Sequence, residues 1–114
     1  MIMRYHKGAR MSQAVSYAGL VYIAGQVADN RKAGIEEQTR DVLRKIDGLL
    51  KEAGTSRSKL LAVNVFLPAI VDFEAMNAVY DDWIDLENPP ARACVEARLA
   101  DADLRVEMTA VAAL

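Results

Sequence analysis

The run Leu60-Leu-Ala-Val-Asn-Val-Phe-Leu67, closed by Pro68, is the segment that most narrows what this chain can become. A strand so nearly continuous in apolar residues is expected in the middle of a sheet, covered on both faces. Pro68 has no N–H to give to a ladder and ends it. Such a strand needs helices to cover at least one face, and the flanking sequence supplies two.

The first helix is expected from Ile35 to Ala53. Ile35, Val42, Leu43, Ile46, Leu49, Leu50 and Ala53 recur at helical spacing, opposite Arg40, Arg44, Lys45, Asp47 and Lys51. Glu36 and Glu37 favour its first turn and Gly54 its end. The second begins at Asp72, read as its cap. Phe73, Met76, Tyr80, Trp83 and Ile84 keep the 3.6 period, and Asn88-Pro89-Pro90 stops it. Before the helices, Arg10–Ala18 and Leu20–Val27 read as two strands joined at Gly19, with Asp29–Gly34 as a loop. After them, the sequence alternates with period two. Ala93, Val95, Ala97 and Leu99 oppose Arg92, Cys94, Glu96 and Arg98. Leu104, Val106, Met108 and Ala110 form a second apolar row, opposite Arg105, Glu107 and Thr109.

The order β-β-α-β-α-β-β predicts an α+β sandwich of the ferredoxin-like kind, a mixed sheet with two helices on one face. The opposite face is then expected to carry Arg92, Glu96 and Glu107 beside Cys94 and Val111. A mixed charged and apolar face on so small a domain is expected to meet another copy. The 114 residues, read as one domain, bury roughly two-thirds of the unfolded surface and leave little room for an internal cleft.

Composition removes several classes of function. One Cys excludes an internal disulfide and a multi-Cys zinc site, and one His argues against a His-rich metal centre or a Ser-His-Asp triad. A net charge of -2 with scattered basic residues offers no field for a nucleic acid. No apolar run approaches the ~20 residues of a membrane span. Met1-Ile2-Met3 is followed at once by Arg4, His6 and Lys7, so no secretory signal is read and the cytoplasm is the expected location. No Gly-rich phosphate loop, CxxC or HExxH motif occurs.

Among residues able to do chemistry, Arg92 stands out. It follows Pro89-Pro90-Ala91 at a strand start, where a stiff backbone aims a guanidinium whose fork suits a carboxylate. The plainer alternative is an ion pair with Glu96 or Glu107, and pattern alone favours it. Glu107 is a candidate general base or a cross-strand partner. Cys94 shares the alternation of Arg92 but has no nearby His, so a packed thiol is favoured over a nucleophile. Gly25-Gln26, at a strand end, offers a tight turn and a polar side chain.

The segment Pro90-Ala-Arg-Ala-Cys-Val-Glu-Ala-Arg-Leu99, followed by Val106-Glu107-Met108, resembles the C-terminal signature of the Rid (reactive intermediate/imine deaminase) family. That family is also called the L-PSP endoribonuclease or perchloric-acid-soluble protein family. Ala24-Gly25-Gln26-Val27, Glu52-Ala53-Gly54, Asp72-Phe73 and Met76-Asn77-Ala78-Val79-Tyr80 extend the resemblance over nearly the whole chain. It implies a chorismate-mutase-like fold and a homotrimer with pockets at the subunit interfaces. It also implies cofactor-independent hydrolysis of 2-imino acids, such as 2-iminopropanoate and 2-iminobutanoate, to 2-oxo acids and ammonia. The family's carboxylate-binding arginine falls on Arg92, its pocket cysteine on Cys94 and its water-associated glutamate on Glu107. A tyrosine that lines the pocket in the best-known members is replaced here by Met11, within Arg10-Met11-Ser12-Gln13-Ala14, which resembles a divergent subgroup. Arg10 stands where it adds a second positive charge or pairs with an acid. A silent carboxylate-binding module and a ribonuclease or translation inhibitor are the competing expectations.

Overall fold

The computed structural model describes residues 1–114. Six strands form one sheet: β1 (Met3–Tyr5), β2 (Ala14–Tyr17), β3 (Leu20–Val27), β4 (Leu60–Leu67), β5 (Ala91–Glu96) and β6 (Glu107–Ala113). Two helices, α1 (Ile35–Glu52) and α2 (Phe73–Trp83), follow β3 and β4. The spatial order is β1-β2-β3-β6-β4-β5, antiparallel throughout except for the parallel β4–β5 pair. The expected α+β architecture is therefore present, with one added edge strand. Three residues of β1, mostly exposed, were too short and too polar to carry a periodic signal.

The hairpin between β2 and β3 turns on Ala18 and Gly19, both at positive φ (53° and 82°). Two left-handed residues match the twist of the flanking strands, which is why a glycine sits there. Gly54, at φ 86°, ends α1 as its sequence suggests. Asp72 stands at the start of α2 but makes no capping hydrogen bond. Its carboxylate instead accepts two bonds from Arg105 Nη2, at 3.0 and 3.1 Å, tying the helix start to the approach to β6.

The core lies between the helices and one face of the sheet. Val42, Leu43, Ile46 and Leu50 of α1 and Met76, Val79 and Tyr80 of α2 meet Val21, Ile23, Val63, Val65, Leu67, Met108, Ala110 and Ala112. Gln38, fully buried, holds two loops together, the one before α1 and the one before β6. Its Nε2 donates to the carbonyls of Arg31, Ala33 and Asp103, and its Oε1 accepts from Arg105 N–H.

The molecule is 20 Å in its thinnest dimension, enough for one helix layer and one sheet. The expectation that β4 is covered on both faces is thus met on one side only. Val63, Val65 and Leu67 are buried under the helices, whereas Ala62, Asn64 and Phe66 are partly or fully exposed on the far side. Tyr22, Val111, Ala62 and Ala91 form one apolar row across that open face. No helix is long and apolar enough to cross a membrane.

Candidate functional site

Strand β5 is the sheet edge, and its register assigns each side chain to a face. Val63 lies opposite Arg92, Val65 opposite Cys94 and Leu67 opposite Glu96. Residues opposite one another in a ladder point the same way. Arg92, Cys94 and Glu96 therefore project to the helix side, and Ala91, Ala93 and Val95 to the open face. This reverses the expectation that Arg92, Cys94 and Glu96 share the open face with Glu107. The alternation was legible, but which row faces the helices is set by pairing with β4.

On the helix side Arg92 meets α2. Its Cζ lies 4.7 Å from the centre of the Tyr80 ring and 6.0 Å from that of Phe73. Its Nη1 donates to Asn77 Oδ1 at 2.7 Å. Phe73, Asn77 and Tyr80 are spaced i, i+4, i+7, so one helical stripe forms the seat. No carboxylate pairs with Arg92, in contrast to Arg31, Arg44, Arg57 and Arg105, each of which has at least one; the other arginines without an acid, Arg4, Arg10, Arg40 and Arg98, are exposed. The ion-pair alternative is absent: Glu96 accepts from Ile70 N–H at 2.9 Å, and Glu107 lies on the other face. A partly buried guanidinium without a counter-charge is costly to keep and open to an anion.

Two neighbours have shifted acidities. Burial pushes the Tyr80 phenol up; the Arg92 charge pulls it partly back and Asp81 adds to the rise. Burial likewise raises the Cys94 thiol, again partly opposed by Arg92. Both stay protonated near neutral pH. Cys94 packs against the core as a wall.

Glu107 lies opposite Phe66 on β4 and Val27 on β3. Val95, Phe66, Glu107 and Val27 thus cross the open face in one row. The Glu107 carboxylate has no hydrogen-bond or ion-pair partner within the chain. Gly25 gives it room, at a register shift between Ile23 and Gln26. A Cβ on residue 25 would run into the Glu107 carboxylate, with Cδ only 2.9 Å away.

The remaining sequence candidates lie elsewhere. Gln26, opposite Met108, is buried on the helix face, where its Nε2 donates to Gln13 Oε1 and the Ala24 carbonyl, both at 3.0 Å. It borders a cleft of about 290 Å³ with Gln13, Lys45 and Glu52. Arg10 and Met11 are exposed in the connection between β1 and β2, at the sheet edge opposite β5. Four strand spacings separate β2 from β5, about 19 Å. Within one chain, then, Arg92 with Cys94, Gly25 with Glu107, and Arg10 with Met11 form three separate groups. The largest hollow, about 660 Å³, is lined by Arg31, Lys32, Asp72 and Arg105, among others, and contains none of them. No three His, Cys, Asp or Glu side chains gather as a metal site. Sequence reading placed Tyr80 in the core and assigned no role to Asn77; the signal was their shared helical stripe with Phe73.

The sequence profile of the family described as Endoribonuclease L-PSP matches residues 2–114. A RutC family protein of Haemophilus ducreyi is 37% identical over 114 residues, covering 100% of this chain and 97% of the relative. Among solved structures, NMB1025 of Neisseria meningitidis, a member of the YjgF protein family, superposes with a TM-score of 0.96 at 39% identity. That match covers 99% of this chain and 94% of the other. YyfA of Yersinia pestis, a protein of unknown function in the conserved Rid family, gives a TM-score of 0.88 at 31% identity, with 95% and 90% covered.

Proposed function

The chain belongs to the family described as endoribonuclease L-PSP, whose members also carry the names Rid, YjgF and RutC, and from that footing we propose that it is a cofactor-independent deaminase of 2-imino acids working as a homotrimer. The observation that carries the reading is Arg92: a guanidinium seated by Asn77 and Tyr80 with no carboxylate partner of its own.

In this reading Arg92 binds the substrate carboxylate through two N–H groups and holds the adjacent imine carbon in place. Water adds to that carbon while Glu107 takes its proton. That proton passes to the nitrogen to give the amino alcohol; the hydroxyl proton then follows it to nitrogen, the C–N bond breaks as the C=O forms, and a 2-oxo acid and ammonia leave. The imine is electrophilic already, so orientation and charge stabilisation suffice. Because Glu107 and Arg92 occupy opposite faces of one sheet, a working pair takes Glu107 from one copy and Arg92 from another. The same holds for Arg10 and Met11, which lie across the sheet from Arg92. The open face, with its row Tyr22-Val111-Ala62-Ala91, is the surface that a second copy covers.

The test couples the purified protein to an amino-acid oxidase that generates imino acids, timing ammonia or 2-oxo acid release. The chain should accelerate release, and Arg92→Ala should cut that acceleration by ~10- to 100-fold. An Arg92→Ala protein as fast as the parent would sink the assignment. A second reading rests on Met11, whose thioether gives no hydrogen-bond donor where better-known members have a phenol. It is a carboxylate-binding module without turnover, marked by 2-oxo acid binding and thermal stabilisation with no release of ammonia. RNA cleavage has less support, since the net charge is -2 and the basic residues are scattered among acids.

A further inference from the structure

We propose that Asn77 is a positioning residue that fixes the Arg92 guanidinium while leaving its charge unspent. This rests on the reading of Arg92 as a carboxylate anchor. A guanidinium only donates, so the atom facing Nη1 at 2.7 Å must be the amide oxygen, and the orientation of Asn77 is chemically determined. Tyr80 lies against the guanidinium 4.7 Å away, and Asn77 ties one nitrogen. Together they restrict the plane and its rotation within that plane. Nη2 and Nε make no hydrogen bond in the chain and remain as the free side of the fork.

The neutrality of Asn77 is the telling feature. An aspartate of nearly the same shape could hold Arg92 equally well. It is what Asp47 does for Arg57, at 2.7 Å, and what Asp72 does for Arg105. At residue 77, however, a carboxylate would neutralise the guanidinium and compete with an incoming anion. An amide oxygen orients the cation and leaves it cationic. Asn77 is therefore placed to separate two properties that an ion pair would merge, geometry and charge.

The experiment compares the parent chain with Asn77→Asp and Asn77→Ala. Thermal unfolding, calorimetric titration with 2-oxobutanoate, and ¹⁵N NMR of the Arg92 guanidinium are measured on each. Asn77→Asp should fold with a midpoint at least equal to the parent's, keep Arg92 restrained, and bind 2-oxobutanoate about tenfold or more weakly. Asn77→Ala should free the guanidinium and weaken binding by a smaller factor, about threefold to tenfold, raising KM more than it lowers kcat. A merely structural asparagine predicts the opposite ranking, with Asp the milder change in both stability and binding. Binding by Asn77→Asp as tight as the parent's would overturn charge sparing. An Arg92 guanidinium as restrained in Asn77→Ala as in the parent would overturn positioning, whatever the ligand result. A parent that binds no 2-oxobutanoate would count against the anchor reading and against charge sparing, while the NMR comparison still decides positioning.

Discussion

Two arginines lean on aromatic residues of α2: Arg57, whose Cζ lies 5.1 Å from the centre of the Trp83 ring, and Arg92, 4.7 Å from that of Tyr80. Arg57 has an acid of its own. It donates to the Asp47 carboxylate and to the Trp83 carbonyl, both at 2.7 Å, while Trp83 Nε1 donates to the same Asp47 oxygen at 2.9 Å. This knot ties α1, the turn after it and the end of α2. A cation at that helix end also suits the helix dipole. Arg92 has the aromatic seat and a polar holder but no acid. The stacking is alike, so the difference between the two lies in the carboxylate that Arg57 has and Arg92 lacks, and the proposed function turns on that difference.

The largest expected effect that can break this contrast is Arg92→Ala. Loss of a bidentate, charge-assisted contact should lower kcat/KM for imino acids by ~10- to 100-fold, with little change in unfolding midpoint. If Arg92→Ala instead destabilises the fold and spares turnover, the two arginines have been assigned the wrong way round. Arg57→Ala should do the reverse, costing about 1–2 kcal/mol in denaturant unfolding and leaving 2-oxo acid binding intact.

Gly25→Ala probes the open-face half of the proposed pocket. The added methyl forces the Glu107 carboxylate to move. Turnover should fall about tenfold through kcat, since a displaced base costs roughly a general-base contribution in part. Circular dichroism and the unfolding midpoint should hardly change. Unaltered turnover would remove Glu107 from the mechanism.

The smallest effect concerns Cys94. Its thiol is raised above its ordinary value of 9.0 by burial, with Arg92 pulling it partly back. Raising favours the protonated form, so thiolate appears only as pH climbs past that ordinary value. Alkylation by iodoacetamide should be slow at pH 7–8 and accelerate above pH ~9. It should be slower still, at a given pH, in Arg92→Ala, because the opposing positive charge is gone. Cys94→Ser should keep turnover within about twofold, as for a wall and not a nucleophile. Rapid alkylation at pH 7 would contradict both the burial and the role.

Much of this was legible without coordinates, for identifiable reasons. α1 declares itself because 18 residues of regular amphipathic spacing end at a glycine. The row Leu104, Val106, Met108, Ala110 reads correctly because every member is buried on one side. The candidates themselves were named from residue type and resemblance. What could not be read was their arrangement. Period-two alternation splits β5 into two rows but carries no label saying which one meets a helix. The seat formed by Asn77 and Tyr80 was hidden because a helical stripe under an edge strand looks like any core stripe.

By itself, then, the sequence determined the elements and the candidates: a strand rich in apolar residues, two amphipathic helices, a stiffly held Arg92, and too few cysteines and histidines for other chemistry. These follow from local patterns, which depend on near neighbours along the chain. Only the tertiary structure decided that Arg92 and Glu107 stand on opposite faces, that Arg92 lacks an acid, and that Arg10 and Met11 lie at the far edge. Those facts depend on strand order and register, which bring together residues far apart in the chain and which no local pattern encodes.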